Sequence, residues 1–423
     1  MNTSIRRRQY RLSAPVAALA VAATLMSTAG PPHAAAATDW QWNQGSVATV
    51  YDPPDASIAG NANVSSFTVP GSTQSSVMFS WSTNDDVGSA GPTTQYKRST
   101  DGGQTFPSAP TTSDSSFDAV ARLNSGDLID VAFIPNGLVD ADTVSLRVKR
   151  SSDNGVSWTA VSSTLSLNSG WQFGSFDRGL RVNPNILVDT AGNLYLTYYT
   201  VFKGDTGDRV EMAVSSNEGA TWQRLAPIKQ PTSTLQYNEA SVTWANPSSP
   251  GATPEMVAVI TEDEIAPGST WRKTVKLITA RSADLGHTWF GQRALPISFD
   301  DGYSFRPGPD GQVRYGVSPD VELLPDGVMA LRWGRPDNWF AISTDNGQTF
   351  EHARRTYVNW PSNGFVWHGS SGNGSMAVVG PNTVVISGDN CAPSWGCPST
   401  DSGWTTNGNY SVWRRIITLI PPS

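Results

Sequence analysis

The octamer Ser99-Thr100-Asp101-Gly102-Gly103-Gln104-Thr105-Phe106 recurs four more times in this chain of 423 residues. The other copies begin at Ser151, Ser215, Ser282 and Ser343, so that successive copies are 52, 64, 67 and 61 residues apart. In the shared pattern, Ser-x-Asp-x-Gly-x-Thr-Trp, the Asp and Ser side chains cap a tight turn, the glycine takes a positive φ, and the aromatic residue folds back into a core. Repetition at this period indicates the blades of a propeller.

The octamer resembles the Asp-box of sialidases and related β-propellers. Each copy follows a strand of alternating apolar residues, as expected for a turn between the third and fourth strands of a blade. Six segments align as the innermost strands of six blades: 63–69, 117–123, 182–188, 238–244, 317–323 and 372–378. We therefore expect an all-β fold, a six-bladed β-propeller of sialidase type with Asp-box turns. We also expect residues 40–50 to close the ring against the last strand, 410–420.

The N-terminus predicts export. Arg6, Arg7 and Arg8 precede an apolar run and then the small residues 34–37, which is typical of a signal peptide spanning 1–37. Arg7-Arg8 also resembles a twin-arginine signal, and the export route stays open. We expect the remaining residues, 38–423, to form a single secreted, extracellular propeller domain.

Composition narrows the choice of partners. The net charge is −7, only 15% of residues are charged, and no basic cluster lies outside the predicted signal, which argues against nucleic acid and anionic membranes. In an exported protein we expect the two cysteines, Cys391 and Cys397, to form a disulfide. We expect a monomer with no cofactor and no metal site in the sequence pattern, and a structural calcium ion is left open because loops bind calcium without a signature.

The aligned innermost strands suggest a site. In a propeller these strands begin near the central axis, and their second position holds mostly polar residues: Val64, Asp118, Asn183, Glu239, Ser318 and Asn373. Solvated strand ends are the alternative explanation for such a column. If Asp118 and Glu239 meet at the axis, they can divide the roles of acid and of base or nucleophile that glycoside cleavage requires.

The resemblance to the sialidase superfamily adds further candidates. Asn238-Glu239-Ala240-Ser241-Val242 is similar to the family's fourth-blade motif, whose glutamate polarises a tyrosine nucleophile. The resemblance also implies an acid/base aspartate between the second and third strands of the first blade, for which Asp86, or its neighbour Asp85, is the candidate. Arg335, or else Arg332, lies near the position of one arginine of the triad that binds the substrate carboxylate.

Three departures from the family pattern are equally informative. Val64 stands where the first-blade motif carries an arginine, and Thr261-Glu262-Asp263-Glu264 occupies the place of the fourth-blade arginine. Asn373 stands where the nucleophilic tyrosine is expected, and an asparagine does not attack a sugar carbon in that way. We therefore expect a reaction different from that of an ordinary sialidase.

Loop residues suggest substrate contacts and another chemistry. Trp367 and His368 precede the sixth innermost strand, and several of the 16 tryptophans lie in Gly- and Ser-rich stretches where they can stack on sugar rings or pack under loops. Arg178 and Arg306 are candidates for contacts to an anionic sugar or for loop salt bridges. His368, if it faces the pocket, is a candidate acid or base, and with Arg335 it would suit a lyase acting on uronic acids.

Together these features predict a secreted glycoside hydrolase of extracellular glycans that uses Glu239 with Asp86 or Asp118. Exo and endo action both stay open, with exo action on a terminal, acidic sugar as one candidate. We do not expect typical sialidase chemistry, and Asn183, Asn373, Trp367 and the arginines are the candidate substrate contacts. Two alternatives stay open. One is a carbohydrate-binding propeller without catalysis, and the other is a polysaccharide lyase in which His368 takes part.

Overall fold

The computed structural model describes residues 40–53, 59–83, 94–246, 254–265, 272–300, 316–335, 337–357, 372–389 and 411–422. The described residues belong to one compact unit, 37–423, and their regular structure consists only of β-strands. No helix in them has the length and apolar character needed to cross a membrane. The predicted signal peptide, 1–37, lies outside the described residues.

Twenty-nine strands follow one another along the chain. Those of the first half are β1 (Gln41–Gln44), β2 (Ala48–Tyr51), β3 (Gly60–Thr68), β4 (Ser75–Ser82), β5 (Thr94–Ser99), β6 (Thr111–Ser113), β7 (Val120–Arg122), β8 (Leu128–Val131), β9 (Gly137–Leu138), β10 (Thr143–Ser145), β11 (Val148–Ser151), β12 (Thr159–Val161), β13 (Thr164–Ser166), β14 (Arg181–Val188) and β15 (Leu194–Thr200). Those of the second half are β16 (Arg209–Ser215), β17 (Thr221–Lys229), β18 (Leu235–Trp244), β19 (Met256–Ile265), β20 (Arg272–Ser282), β21 (Phe290–Ala294), β22 (Ile297–Phe299), β23 (Val317–Leu323), β24 (Met329–Gly334), β25 (Asn338–Ser343), β26 (Phe350–Tyr357), β27 (Met376–Gly380), β28 (Thr383–Asp389) and β29 (Val412–Ile420).

These strands form six sheets, and the sheets follow one another in chain order. Each sheet has a core of four antiparallel strands. Blades 1 to 6 begin with β3, β7, β14, β18, β23 and β27 respectively. Strands β13, β10 and β9 extend blade 3, and β22 adds to the outer edge of blade 5. The innermost strands coincide closely with the six segments aligned from the sequence, which confirms the predicted propeller fold.

The N-terminal strands complete the last blade. Strand β1 pairs antiparallel with β29, in a register that sets Gln41 opposite Ile420 and Gln44 opposite Ile417. Strand β2 pairs with the first part of the same strand. Blade 6 therefore contains strands from both ends of the domain. This pairing closes the ring of blades and confirms the expected closure.

Each octamer forms the same hydrogen-bonded turn after the third strand of its blade. In the first copy, the Ser99 hydroxyl donates to Asp101 at 2.6 Å and accepts the Gly103 N–H at 3.0 Å. Asp101 also accepts the N–H of Thr105 at 3.0 Å and its hydroxyl at 2.5 Å. The third copy has Asn217 in place of the aspartate, and its amide donates to the Thr221 hydroxyl instead.

The glycine of each octamer turn lies against the preceding blade. The φ values of these glycines run from 75° to 85° in all five copies, a region that other residues rarely adopt. A Cβ atom on Gly219 would stand 2.3 Å from Ile129 of blade 2, and one on Gly286 would stand 2.3 Å from Met212 of blade 3. The octamer turns therefore seal neighbouring blades as well as connecting strands within a blade.

Apolar side chains fill the spaces between adjacent blades. One cluster joins blades 2 and 3 around Val131, Leu196 and Trp222, and another joins blades 4 and 5 around Val259 and Trp333. Similar clusters lie between the other pairs of blades. The apolar side chains thus lie between the blades, and polar side chains are left to line the central axis.

Gly219→Ala tests the sealing role of the octamer turn. We expect it to lower the free energy of unfolding by about 2 to 4 kcal/mol, because it combines an unfavourable φ with overpacking against Ile129. The matched control is Gly71→Ala, where φ is 81° but nothing lies within 4 Å of the added methyl group, so that a loss of about 1 kcal/mol is expected. Denaturant unfolding measures both, and equal losses would contradict the sealing role.

Candidate functional site

Local bulges turn polar residues of the innermost strands toward the axis. The pairing register shifts between Val182 and Ile186 in blade 3, between Tyr237 and Ala240 in blade 4, and between Val317 and Asp320 in blade 5. A bulge releases residues from the ladder and redirects their side chains. It is at these irregularities that Asn183, Glu239 and Ser318 lie.

The redirected residues surround one pocket on the axis, which encloses about 490 Å³ of space when the part open to solvent is included. All six blades contribute to its lining. The lining residues are Asn61, Asn63, Asp118, Phe133, Asn183, Pro184, Glu239, Ala240, Ser318, Pro319, Asn373 and Gly374. We call this space the axial pocket. It brings together five of the six residues that the sequence alignment placed in the second column.

The sixth member of that column, Val64, is buried in the apolar core between blades 6 and 1. Its backbone N–H and C=O both bond the Ser375 hydroxyl, the latter at 3.0 Å. The register of β3 shifts between Gly60 and Asn63, so that Asn61 and Asn63 face the axial pocket instead. The alignment of blade 1 was therefore wrong by one residue, because the sequence does not reveal the bulge.

Glu239 is held at both its backbone and its carboxylate. Its Oε2 atom accepts the backbone N–H of Ser318, in blade 5, at 2.7 Å. Its own N–H donates to the side chain of Asn238 at 2.8 Å. The charge of the buried Arg332 also acts on Glu239. An N–H donor and a nearby cation favour the ionised carboxylate.

Asp118, from blade 2, has a different environment in the same pocket. It is 6% exposed, and among the described residues its Oδ1 atom has no hydrogen-bond partner. Burial raises the pKa of Asp118 to about 6, although hydrogen bonding with Ser116, the Phe133 N–H and Asn63 lowers it in part. The structure therefore combines one carboxylate stabilised in its charged form with a second that holds a proton at mildly acidic pH.

Two amides complete the polar lining. Asn183 is 1% exposed, and its Oδ1 atom accepts the N–H of Ala240, next to Glu239, at 3.2 Å. Among the described residues, the buried Nδ2 atom of Asn183 has no hydrogen-bond partner. Asn373, from blade 6, is also buried at the pocket wall.

Three of the arginines suggested by the sequence, Arg332, Arg335 and Arg178, are described, and none of them is among the described lining residues of the axial pocket. Arg332 is fully buried and donates to the carbonyls of Ser318, Gly372 and Gly374 and to Asn338. Burial lowers the pKa of Arg332 to about 10, against the opposing effect of nearby carboxylates, so it stays charged at neutral pH. It joins blades 5 and 6, a structural role that excludes it as a free carboxylate-binding group.

Arg335 and Arg178 are half-buried residues with positive φ values, 53° and 56°. The N–H of Arg335 donates to the Asp337 carbonyl at 2.9 Å, and the Arg335 side chain packs beside Gly372. Arg178 donates to the Asn136 carbonyl at 3.2 Å. Their proposed contacts with substrate stay predictions.

The acidic run after Ile260 has partners within the protein. Burial, together with Glu262, with which Tyr237 forms a hydrogen bond, raises the pKa of Tyr237 well above its usual value. Lys276 lies 3.3 Å from the Glu262 carboxylate. Asp263 accepts a hydrogen bond from Asn238 at 2.6 Å. These carboxylates support the first half of β18, which contains Glu239.

Asp320, which was not among the candidates predicted from the sequence, is fully buried on the axis. Its Oδ1 atom accepts from Asn185 of blade 3 at 2.9 Å and from Ser241 of blade 4 at 3.0 Å. Its Oδ2 atom accepts the N–H of Met376 of blade 6 at 2.6 Å. Burial raises the pKa of Asp320, and these hydrogen bonds oppose the rise. The one available signal was the similarity of Asn183-Pro184-Asn185 to Ser318-Pro319-Asp320 in the innermost strands.

Several predicted site residues lie outside the described residues. They are Asp86, His368, Arg306, Trp367, Cys391 and Cys397. The described residues Ser82 and Thr94, which flank the segment with Asp86, line a second pocket that shares Asn61, Asn63, Asp118 and Phe133 with the axial pocket. Within the described part of the chain, no group of three or more His, Cys, Asp and Glu side chains is placed to hold a metal ion.

Comparison with known proteins shows the fold. A protein of unknown function from Dyadobacter fermentans matches with a TM-score of 0.59 and 16% identity, over 90% of this chain and 99% of that one. The α-L-arabinanase of Penicillium chrysogenum, solved with arabinobiose, gives 0.57 and 14% over 88% and 98%. The NanB sialidase of Streptococcus pneumoniae gives 0.54 and 12% over 88% and 70%. Glycoside hydrolases that differ in substrate thus share this propeller architecture.

No protein-family model matches the chain, and no curated protein matches it either.

Asp118→Asn tests the environment of Asp118 through stability. The pKa of Asp118 in the folded protein, about 6, lies above the value near 4 of an unfolded chain. The folded state therefore binds the proton more tightly, and stability falls as the pH rises from about 4 to about 6. We expect the variant to be more stable than the wild type by about 2 to 3 kcal/mol at pH 7, with the gain vanishing below pH 4. A gain independent of pH would contradict this.

Asp320→Ala tests the axial network. We expect a loss of about 3 kcal/mol or more in the free energy of unfolding, because the N–H of Met376 and the side chains of Asn185 and Ser241 lose an acceptor. Glu351→Ala removes an exposed carboxylate from the same blade and should change stability by less than about 0.5 kcal/mol. A similar small effect of both substitutions would show that the network is dispensable.

Proposed function

We propose that this chain is a secreted glycoside hydrolase of the sialidase-superfamily type that cleaves glycosidic bonds of extracellular glycans. The observation that carries the proposal is the convergence of Asp118 and Glu239, from different blades, on one axial pocket. Their environments differ, as the chemistry requires, because cleavage needs one protonated and one ionised carboxyl group. Glycoside hydrolases among the structural neighbours support the proposal.

Glu239 is the proposed nucleophile or base. The Ser318 N–H donates to its Oε2 atom, and the charge of Arg332 acts on it, so that the ionised form is favoured. In this role it either attacks the anomeric carbon or activates a water molecule. Because Ser318 and Arg332 are fixed in the blade 5 framework, the carboxylate is oriented before substrate binds.

Asp118 is the proposed general acid. At a pH below about 6 its carboxyl group carries the proton that the leaving-group oxygen must receive. Asp118 is among the lining residues of the axial pocket, and its buried Oδ1 atom has no hydrogen-bond partner among the described residues. Asp86, which the family resemblance suggests for this role, stays an alternative candidate.

Neutral polar groups surround the two carboxyl groups. Asn61, Asn63, Asn183 and Asn373 can exchange hydrogen bonds with sugar hydroxyls, and Phe133 offers an aromatic face. The described lining of the pocket contains no Arg or Lys. A neutral sugar, such as the arabinose of the arabinobiose bound to the arabinanase neighbour, is therefore the first substrate to test. The acidic terminal sugar suggested by the sequence is the second.

Glu239→Gln tests the assignment of the nucleophile or base. We expect it to lower kcat by about 10³-fold or more, since the amide neither attacks nor takes up a proton, while it still accepts the Ser318 N–H. Mass spectrometry of products from arabinan, sialyl and uronic-acid oligosaccharides measures the effect. Glycan binding without product from any of these would favour the alternative of a non-catalytic carbohydrate-binding propeller, which the presence of Asn373 in place of the nucleophilic tyrosine already suggests.

Asp118→Asn tests the general acid. We expect a loss of about 10²-fold or more on unactivated oligosaccharides, but a much smaller loss on aryl glycosides whose leaving group needs no proton. In the wild type, kcat/KM should fall as the pH rises through about 6, and this limb should be absent in the variant. Equal losses on both types of substrate, or an unchanged pH limb, would assign the acid role to another residue.

A further inference from the structure

Asp263 lies on β19, the second strand of blade 4, within the acidic run 261–264. It is 2% exposed, and its partner Asn238 is 6% exposed. By resemblance to the sialidases, this stretch was expected to carry a substrate-binding arginine. An acidic side chain there needs a different explanation, because a buried carboxylate costs free energy unless it is hydrogen-bonded.

Two hydrogen bonds connect Asp263 to Glu239. The Nδ2 atom of Asn238 donates to Asp263 Oδ2 at 2.6 Å. The Oδ1 atom of Asn238 accepts the backbone N–H of Glu239 at 2.8 Å. A carboxylate only accepts hydrogen bonds, so Asp263 fixes which end of the Asn238 amide faces it. The carbonyl end of that amide is thereby directed at Glu239.

The connection lies where the backbone ladder is interrupted. The register between β18 and β19 shifts between Tyr237 and Ala240, and Glu239 is not paired with β19. Side chains take over the role of the ladder, since Asn238 accepts the N–H of Glu239 and Asn183 accepts that of Ala240. At the other end, the Glu239 carboxylate accepts the Ser318 N–H at 2.7 Å. The orientation of Glu239 thus depends on both ends being held.

We propose that Asp263 is a positioning residue for Glu239, acting through Asn238. The inference rests on the proposed hydrolase function for its effect on catalysis. The charge on Asp263 strengthens the first hydrogen bond, and this keeps the bulge in the one conformation that presents Glu239 to the Ser318 N–H. In this proposal Asp263, within the acidic run, orients the reacting carboxylate of Glu239 and does not itself contact the sugar.

The kinetic test compares Asp263→Ala, Asn238→Ala and Asp263→Asn with the control Glu264→Ala. Glu264 is an exposed carboxylate one residue further along the same strand. We expect the two alanine variants at the connection to lower kcat about 10- to 100-fold with KM changed less than about 3-fold, because misplacing a reacting group affects the transition state most. Asp263→Asn keeps an acceptor but loses the charge and adds a donor, so it no longer fixes the orientation of the Asn238 amide, and we expect an intermediate loss of kcat of about 3- to 10-fold.

A double-mutant cycle shows whether the two residues act in series. If Asp263 acts through Asn238, the double variant should be no slower than the slower single variant. Losses that multiply, a loss confined to KM, or an equal loss in Glu264→Ala would overturn the proposal. Melting temperatures of all variants identify any that fail to fold, and Asp263→Asn then carries the comparison.

Hydrogen exchange at the Ser318 amide tests positioning without any substrate, because that N–H reports its bond to Glu239. We expect faster exchange in Asp263→Ala and Asn238→Ala and wild-type exchange in Glu264→Ala. Unchanged protection in the first two variants would overturn the proposal, whether or not a glycan is cleaved. Faster exchange in a protein that cleaves no glycan would support the positioning role and reject the hydrolase.

Discussion

The buried carboxylate of Asp320 is the interaction on which the centre of the propeller depends. The innermost strands of neighbouring blades do not pair with one another in a ladder, so the axis must be held by side chains. Asp320 accepts hydrogen bonds from Asn185, Ser241 and the N–H of Met376, and so connects blade 5 with blades 3, 4 and 6. Arg332, which carries the charge opposite to that of Asp320, donates further hydrogen bonds to the carbonyls of Gly372 and Gly374.

This fixed axis makes the bulges useful. Because the hydrogen bonds of Asp320 and Arg332 hold the innermost strands together, Glu239 and Asn183 can leave the backbone ladder without weakening the contacts between blades. Their backbone groups are bonded by side chains instead, as in the bonds of Asn238 to Glu239 and of Asn183 to Ala240. These side-chain hydrogen bonds offset the free energy lost where the backbone ladder is interrupted. A polar pocket with two differently stabilised carboxyl groups is the result.

The repeated octamer turns could be predicted from the sequence, but the bulges in the innermost strands could not. Five octamers with a glycine at positive φ are enough to predict the blades, because the turn geometry depends on local residues alone. Asp118 and Glu239 were also placed correctly on the axis by alignment. Val64 was misplaced and Asp320 was overlooked, because a one-residue bulge and a hydrogen bond between residues of different blades leave no local pattern. The role of Asp263 likewise depends on a pairing across β18 and β19 that only the fold provides.

In the proposed hydrolase, the axial pocket binds a glycan with its scissile bond between Asp118 and Glu239. The most direct test is a crystal structure of the Glu239→Gln protein with the oligosaccharide that the wild type cleaves, or with the glycan that binds most tightly. We expect sugar in the axial pocket, with the glycosidic oxygen within hydrogen-bond reach of Asp118 and the anomeric carbon facing Gln at position 239. Sugar bound elsewhere on the propeller, with the axial pocket holding only water, would contradict the proposal.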